Sequence, residues 1–156
     1  MSLHKTFNLE EIHSQVKEWR GAGDQIVFTN GCFDLLHPGH IDCLAKAKVF
    51  GDRLIVGLNS DESVKRLKGV NRPIYNEKDR CTMLTGLEVV DAVVLFEEDT
   101  PINLIEAIVP DILVKGSDYK KGNIVGAEIV EKHGGKVELI NLVAGFSTSE
   151  LMRRIK

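Results

Sequence analysis

Apolar residues recur along this chain in two alternating patterns, one at helical spacing and one as short continuous runs. Leu9, Ile12, Val16 and Trp19 stand at helical spacing behind Asn8 and Glu11, the letters of a capping box, and Gly21 and Gly23 stop the run. Ile26-Val27-Phe28 then reads as a strand, and Ile41, Leu44, Ala45 and Ala47 to Val49 return to helical spacing until Gly51. Leu54 to Leu58 has the unbroken apolar character of a strand buried on both faces. Asn59-Ser60-Asp61 opens a short helix, Asn71 to Tyr75 reads as a loop, and Asn76 with Asp79 caps a helix carrying Arg80, Leu84 and Leu87. Ala92 to Phe96 gives a third strand, Thr100-Pro101 starts a helix through Val109, and Ile112-Leu113-Val114 gives a fourth strand. A helix from Val125 to His133 leads through Gly134-Gly135 to a fifth strand, Val137 to Leu142, and Ser147 or Thr148 caps a last helix.

Strands alternating with helices predict an α/β fold, a Rossmann-like doubly wound sheet of five parallel strands. No repeat, low-complexity stretch or linker divides residues 1–156, so one domain is expected, with residues 1–23 as a leading helix and 24–156 as the α/β core. The leading helix carries its own cap, which predicts a complete unit.

The most informative stretch joins the first strand to its helix, Thr29-Asn30-Gly31-Cys32-Phe33-Asp34-Leu35-Leu36-His37-Pro38-Gly39-His40. Pro38 suits a first helical turn, so His37 and His40 lie three apart across a helix start and can project toward one point. Gly39 between them removes a side chain where a ligand would approach the backbone. Free N–H groups of a first turn, the helix dipole and two imidazoles together suit a phosphate. Two other readings fit the same letters: a capping histidine beside a surface histidine, or a zinc pair, for which only Asp34 and Cys32 are near as further ligands.

Further candidates follow the later strands, where ligands of open α/β sheets bind. Lys65, Arg66 and Lys68 could hold a second phosphate, with Arg72 and Arg80 within reach of the same pocket, although a solvated basic helix face would use the same residues. In Lys115-Gly116-Ser117-Asp118-Tyr119, Asp118 can accept from a ribose, Tyr119 offers a face to a base, and Gly116 permits close backbone approach; a surface turn would use the same letters. Ser147, Thr148 and Ser149 place hydroxyls and N–H groups at the start of the last helix, a second anion site.

Composition narrows the classes. A net charge of −3 leaves no footprint for non-specific nucleic-acid binding, and no apolar run approaches membrane-spanning length. No signal-peptide pattern opens the chain, and three cysteines, odd in number and without a C-x-x-C pair, predict free thiols in a reducing cytoplasm. The first strand–helix turn lacks G-x-G-x-x-G, which sets a dehydrogenase aside.

Gly31-Cys32-Phe33-Asp34 followed by His37-Pro38-Gly39-His40 resembles the G-x-F-D-x-x-H-x-G-H signature of the cytidylyltransferase-like nucleotidyltransferases. Within that family, Val56 to Asp61, Lys65 to Gly69, Phe96 to Pro101 and Leu113 to Tyr119 resemble the adenylyltransferase branch that makes ADP-heptose for lipopolysaccharide. The resemblance implies sheet order 3-2-1-4-5 and transfer of AMP from ATP to a heptose 1-phosphate. It assigns His37, His40 and Lys65 to catalysis, and Lys68, Arg72 and Arg80 to the acceptor phosphate. Asn30, Gly31, Cys32, Phe33, Gly39, Lys115, Gly116, Asp118, Tyr119, Ser147, Thr148 and Ser149 are assigned to the nucleotide, and Asp34 and Asp61 to structural roles. It further implies Mg²⁺ carried with ATP, no protein metal cage, and a homodimer. Glycerol-3-phosphate cytidylyltransferases are the nearest rival, but they carry an arginine where this chain has Leu142, followed by Val143 and Ala144. A catalytically silent nucleotide-binding module is the alternative outside the enzymes, and the intact His37, His40, Lys65, Thr148 and Ser149 argue against it.

Overall fold

The computed structural model describes residues 4–155. Six strands form one wholly parallel sheet: β1 (Thr6–Phe7), β2 (Ile26–Gly31), β3 (Arg53–Asn59), β4 (Ala92–Phe96), β5 (Ile112–Gly116) and β6 (Lys136–Ile140), in the order β1-β4-β3-β2-β5-β6. The five expected strands lie in the expected order, as β4-β3-β2-β5-β6. The sixth is a correction: β1 adds two residues to the edge, pairing Thr6 with Val93 and Phe7 with Val94. Two residues cannot display a period, so β1 leaves no signal in the apolar pattern.

Among the described residues seven α-helices accompany the sheet: α1 (Leu9–Gly21), α2 (Pro38–Lys48), α3 (Asp61–Lys68), α4 (Glu77–Thr85), α5 (Ile102–Ile108) and α6 (Ala127–Lys132) between strands, and α7 (Thr148–Ile155) after the last. The capping box of α1 forms as expected, Asn8 Oδ1 accepting from Glu11 N at 2.8 Å and Glu11 Oε1 from Asn8 N at 3.0 Å. Helix α6 starts two residues later than the spacing suggests, because Gly126 takes a left-handed φ of 85°. A Cβ there would sit 2.6 Å from Ile105 Cδ1.

Alternate residues of each inner strand feed two apolar layers. Ile26, Phe28, Ile55, Val94 and Leu113 face one layer with Ile12 and Val16 of α1, Leu104, Ile105 and Ile108 of α5, and Val130 of α6. Val27, Leu54, Val56, Leu58, Val93 and Ile112 face the other, with Leu44 of α2 and Leu84 of α4. The first layer is tied further by Arg20, whose guanidinium donates to the carbonyls of Ile108 (2.9 Å) and Val109 at the end of α5.

One irregularity positions everything that follows. β2 pairs with β3 through Gly31, opposite Leu58, but its ladder to β5 ends at Phe28 and Leu113. Beyond that point β2 and β5 diverge, and the gap is bridged by side chains: Thr29 Oγ1 donates to Val114 O at 3.0 Å, and Lys115 Nζ to Asn30 Oδ1. The connections leave β2 toward β3 on one side while β5 lies on the other, so this opening is the switch point where doubly wound sheets bind ligands.

Gly57 in the centre of β3 borders the same floor. A Cβ there would meet Phe28 Cζ at 2.8 Å and Asn30 Cβ at 3.2 Å. Gly57→Ala is therefore expected to cost about 1–3 kcal/mol by overpacking, read as a lowered urea midpoint; an unchanged midpoint would contradict the packing described.

Candidate active site

A cavity of about 660 Å³ opens at the carboxyl ends of the strands. Of the residues singled out in the sequence, Asn30, Gly31, Cys32, Phe33, Asp34, His37, Gly39, His40, Lys68, Arg72, Lys115, Tyr119, Ser147, Thr148 and Ser149 line it. The β2–α2 loop forms one wall, α3 and the loop after it a second, the end of β5 a third, and the start of α7 a fourth.

The two histidines are organised by each other. His37 is the N-cap of α2; its Nδ1 accepts from Gly39 N at 3.1 Å, and its own N–H donates to His40 Nδ1 at 3.3 Å. Their rings stack with centroids 3.9 Å apart, and Phe146 stacks on the far face of His37 at 5.9 Å. An imidazole whose Nδ1 accepts carries its proton on Nε2, so this network makes both rings Nε2–H donors. Burial lowers the pKa of both rings, and burial together with the neighbouring His37 takes His40 to about 4. Both are neutral at pH 7.

The same cap corrects the expectation that first-turn N–H groups of α2 bind an anion. Pro38 has no N–H, Gly39 N bonds to His37 Nδ1, and His40 N bonds to His37 O at 2.9 Å. Those donors are spent, and an anion must be met by the imidazole Nε2–H groups. Gly39 is needed for a different reason from the one expected: a Cβ would lie 2.8 Å from His37 Cε1 and 3.1 Å from Phe146 Cβ.

Asp34 holds the wall. It is 1% exposed; Oδ2 accepts from Arg72 Nε (3.1 Å) and Ile74 N (2.6 Å), and Oδ1 from Tyr75 N (3.0 Å). Its neighbours Phe33 and Leu35 have φ of 46° and 52°, conformations that cost L-residues about 1–3 kcal/mol each and persist only where the surroundings impose them. The N–H groups from which Asp34 accepts belong to the 72–75 loop.

Arg80 requires a correction. It is fully buried: Nη1 donates to Cys32 O (2.7 Å) and Asn59 O (2.8 Å), Nη2 to Asp61 Oδ1 (2.8 Å), and Nε to Tyr75 O (2.9 Å). It braces the walls from behind and does not reach the acceptor. Asp61 takes part in this brace through the same bond.

Lys65 is also displaced from its expected place. Its ammonium pairs with Glu62 at 3.4 Å on the exposed face of α3, outside the cavity, while Lys68 stands on the lining. Asp118 and Gly116 lie outside the lining too; a Cβ on Gly116 would fall 2.6 Å from Asp118 Oδ1, so glycine makes room for the returning carboxylate. At α7, Ser147 Oγ is the cap, accepting from Glu150 N at 3.0 Å. Thr148 Oγ1 donates its one proton to Asp34 O at 2.8 Å, which leaves it only acceptor capacity toward a phosphate.

Several lining residues were given no site role from the sequence: Asn59, Asp99-Thr100-Pro101, Asn123 to Val125, and Phe146. Asn59 and Asp99 to Pro101 follow the ends of β3 and β4, so the switch-point rule applied to every strand would have found them. Phe146 lies in a loop, and only its stacking on His37 marks it.

Fold, switch-point cavity and paired neutral histidines define a nucleotidyltransferase of the α/β type. Residues 28–148 match the family described as Cytidylyltransferase-like, and the chain belongs to that family. It is 54% identical over 151 residues to the bifunctional protein HldE of Methylobacillus flagellatus, covering 97% of this chain and 31% of that protein. Similarity to HldE of Hyphomonas neptunium is 53% over 146 residues, covering 94% of this chain and 30% of that one. The chain thus spans about a third of the length of these relatives. Among solved structures, a lipopolysaccharide core biosynthesis protein from Thermoplasma volcanium superposes with a TM-score of 0.64 at 31% identity, covering 78% of this chain and 98% of that one. A pantoate–β-alanine ligase from Francisella tularensis reaches 0.65 at 15% identity, covering 96% and 76%, and shares the fold.

Two outcomes follow from the buried groups. Arg80→Ala is expected to lose about 3–5 kcal/mol in urea unfolding, since it strands the Asp61 carboxylate and the carbonyls of Cys32, Asn59 and Tyr75; a loss under 1 kcal/mol would contradict the bracing role. His40 binds a proton in the unfolded chain below its ordinary 6.5 but in the folded chain only below about 4. Stability therefore rises with pH between those values, by up to about 3 kcal/mol, and is complete above them. An NMR titration should place the His40 midpoint near 4, and His40→Ala should flatten the pH dependence; a wild-type midpoint near 6.5 would overturn the account.

Proposed function

We propose that the chain transfers AMP from ATP to D-glycero-D-manno-heptose 1-phosphate, giving ADP-heptose and pyrophosphate for lipopolysaccharide core synthesis. The observation that carries this reading is the pair of neutral, stacked imidazoles whose Nδ1 atoms are both occupied, leaving two Nε2–H donors at the mouth of the switch-point crevice. The similarity to HldE and to the Thermoplasma protein supports the heptose pathway, and the absence of the rival branch's arginine at Leu142 supports ATP over CTP.

An acceptor phosphate oxygen attacks the α-phosphorus in line; its new P–O bond forms as the bond to the β-bridging oxygen breaks, and pyrophosphate leaves. The nucleophile is already an anion, so no base is needed, and the residues act by positioning and by stabilising charge. Neutral imidazoles donate to the non-bridging oxygens of the triphosphate without risk of losing the proton that makes the bond. Lys68, in place of Lys65, and Arg72 offset repulsion between the two phosphates from the α3 side. Ser147, Ser149 and the first turn of α7 meet the outer phosphates, and Tyr119 with Ile124 and Val125 faces the base.

The donor set fits a magnesium ion carried on phosphate oxygens and water. The carboxylates Asp34, Asp61 and Asp99 are engaged by Arg72, Arg80 and Arg66, and no group of three or more ligating side chains occurs among the described residues. When bound, it supplies further charge neutralisation on the phosphates.

The test is pyrophosphate release with Mg²⁺, crossing ATP and CTP against heptose 1-phosphate and glycerol 3-phosphate. Turnover is expected with ATP and the heptose phosphate; turnover only with CTP and glycerol phosphate would move the chain to the rival branch, and silence in every pairing would refute the reading.

A further inference from the structure

The side chain that bridges the divergence of β2 and β5 is a lysine, and its surroundings do not explain its charge. Lys115 Nζ donates to Asn30 Oδ1, a neutral acceptor, and lies 5.4 Å from the centre of the Tyr119 ring. Among the described residues no carboxylate comes within ion-pair distance of it. An ammonium has three donors, and a largely buried one is costly unless an anion completes it.

Position identifies the anion. From Lys115, near the end of β5, the chain leads into Tyr119 on the wall assigned above to the base, whereas from Asn30, near the end of β2, it leads to His37 and His40, assigned above to the triphosphate. A cation between those walls faces the one phosphate that is covalently attached to the nucleoside.

We propose that Lys115 is a catalytic residue that binds the α-phosphoryl group during its transfer, from the β5 side of the crevice. This deepens the nucleotidyl transfer proposed above and rests on it. Lys115 gives up no proton in the step; it stabilises charge on the non-bridging oxygens while the acceptor–phosphorus bond forms and the bond to pyrophosphate breaks.

The groups facing Lys115 are Asn30 from β2, Cys32 from the β2–α2 loop, and Asp118 and Tyr119 from the loop after β5. Burial pulls its pKa down to about 8, against a smaller upward pull from Asp118 and Cys32, and burial pushes the Cys32 thiol up, so that thiol stays protonated. An anion bound against Lys115 restores the charged form, and the empty site must then take up a proton when the nucleotide arrives.

Calorimetric titration of ATP with Mg²⁺ into the intact chain at about pH 8.5, in two buffers of different ionisation enthalpy, reads that proton. Wild type should take up roughly three-quarters of a proton and Lys115→Met none. In steady state Lys115→Met should lower kcat about 10²-fold or more with the acceptor KM within about 2-fold, and Lys115→Arg should regain part of the rate. Absence of proton uptake by wild type, uptake persisting in Lys115→Met, or a loss confined to the acceptor KM would each overturn the assignment. Failure of wild type to bind either ATP or CTP would instead overturn the underlying nucleotidyl-transfer reading, and this assignment with it.

Discussion

The buried carboxylate of Asp34 is where the separate parts of the cavity meet. Its side chain takes hydrogen bonds from Arg72, Ile74 and Tyr75, and its carbonyl takes one from Thr148. The histidine loop, the loop after α3 and the start of α7 are thereby referred to one residue, although Asp34 and Thr148 stand 114 positions apart. The left-handed conformations of Phe33 and Leu35 are the local cost of turning that carboxylate inward. Arg80 completes the arrangement from behind by closing on Cys32 and Asn59, so a second buried charge satisfies backbone carbonyls at the ends of β2 and β3.

The charge distribution that results is selective. Burial lowers the pKa of both imidazoles, with His37 adding to the effect on His40, while Arg72 and Arg80 are paired with carboxylates and, among the described residues, Lys68 and Lys115 stand on the lining without one. Under the proposed transfer, a site that confronts two phosphorylated substrates must separate donors from counter-charges. Donors that cannot ionise at neutral pH bind oxygens without adding to long-range attraction, and counter-charges carried on separate elements, α3 and β5, are kept from acting at one spot.

How much of this was legible depended on what kind of signal each feature leaves. The inner strands announced themselves because burial on both faces demands unbroken apolar runs, and the helices because caps and glycines punctuate them. β1 left no signal, being too short for a period. The histidine pair and its capacity to donate were legible as a motif, but which ring nitrogen carries the proton was not, since that follows from which one accepts from Gly39 and from His37 N. Arg80 and Lys65 mark the limit most clearly. Both are basic residues in the segment between β3 and β4, and only three-dimensional packing tells that one is sealed behind the wall and the other turned to solvent against Glu62. Composition cannot separate a cation that reaches a ligand from one that holds a carbonyl.

Helix α7 contributes one wall of the cavity yet has no buried residue, and the bond from Thr148 to Asp34 O is its hydroxyl anchor to the core. Local opening free energy scales with buried apolar contact, so this helix sits at the low end of the molecule's stability range, well below the strands beneath it. Amide exchange in such a segment is governed by fraying and not by global unfolding. The free energy of ordering that wall is then drawn from the affinity for any ligand it closes on, which weakens retention and favours rapid exchange.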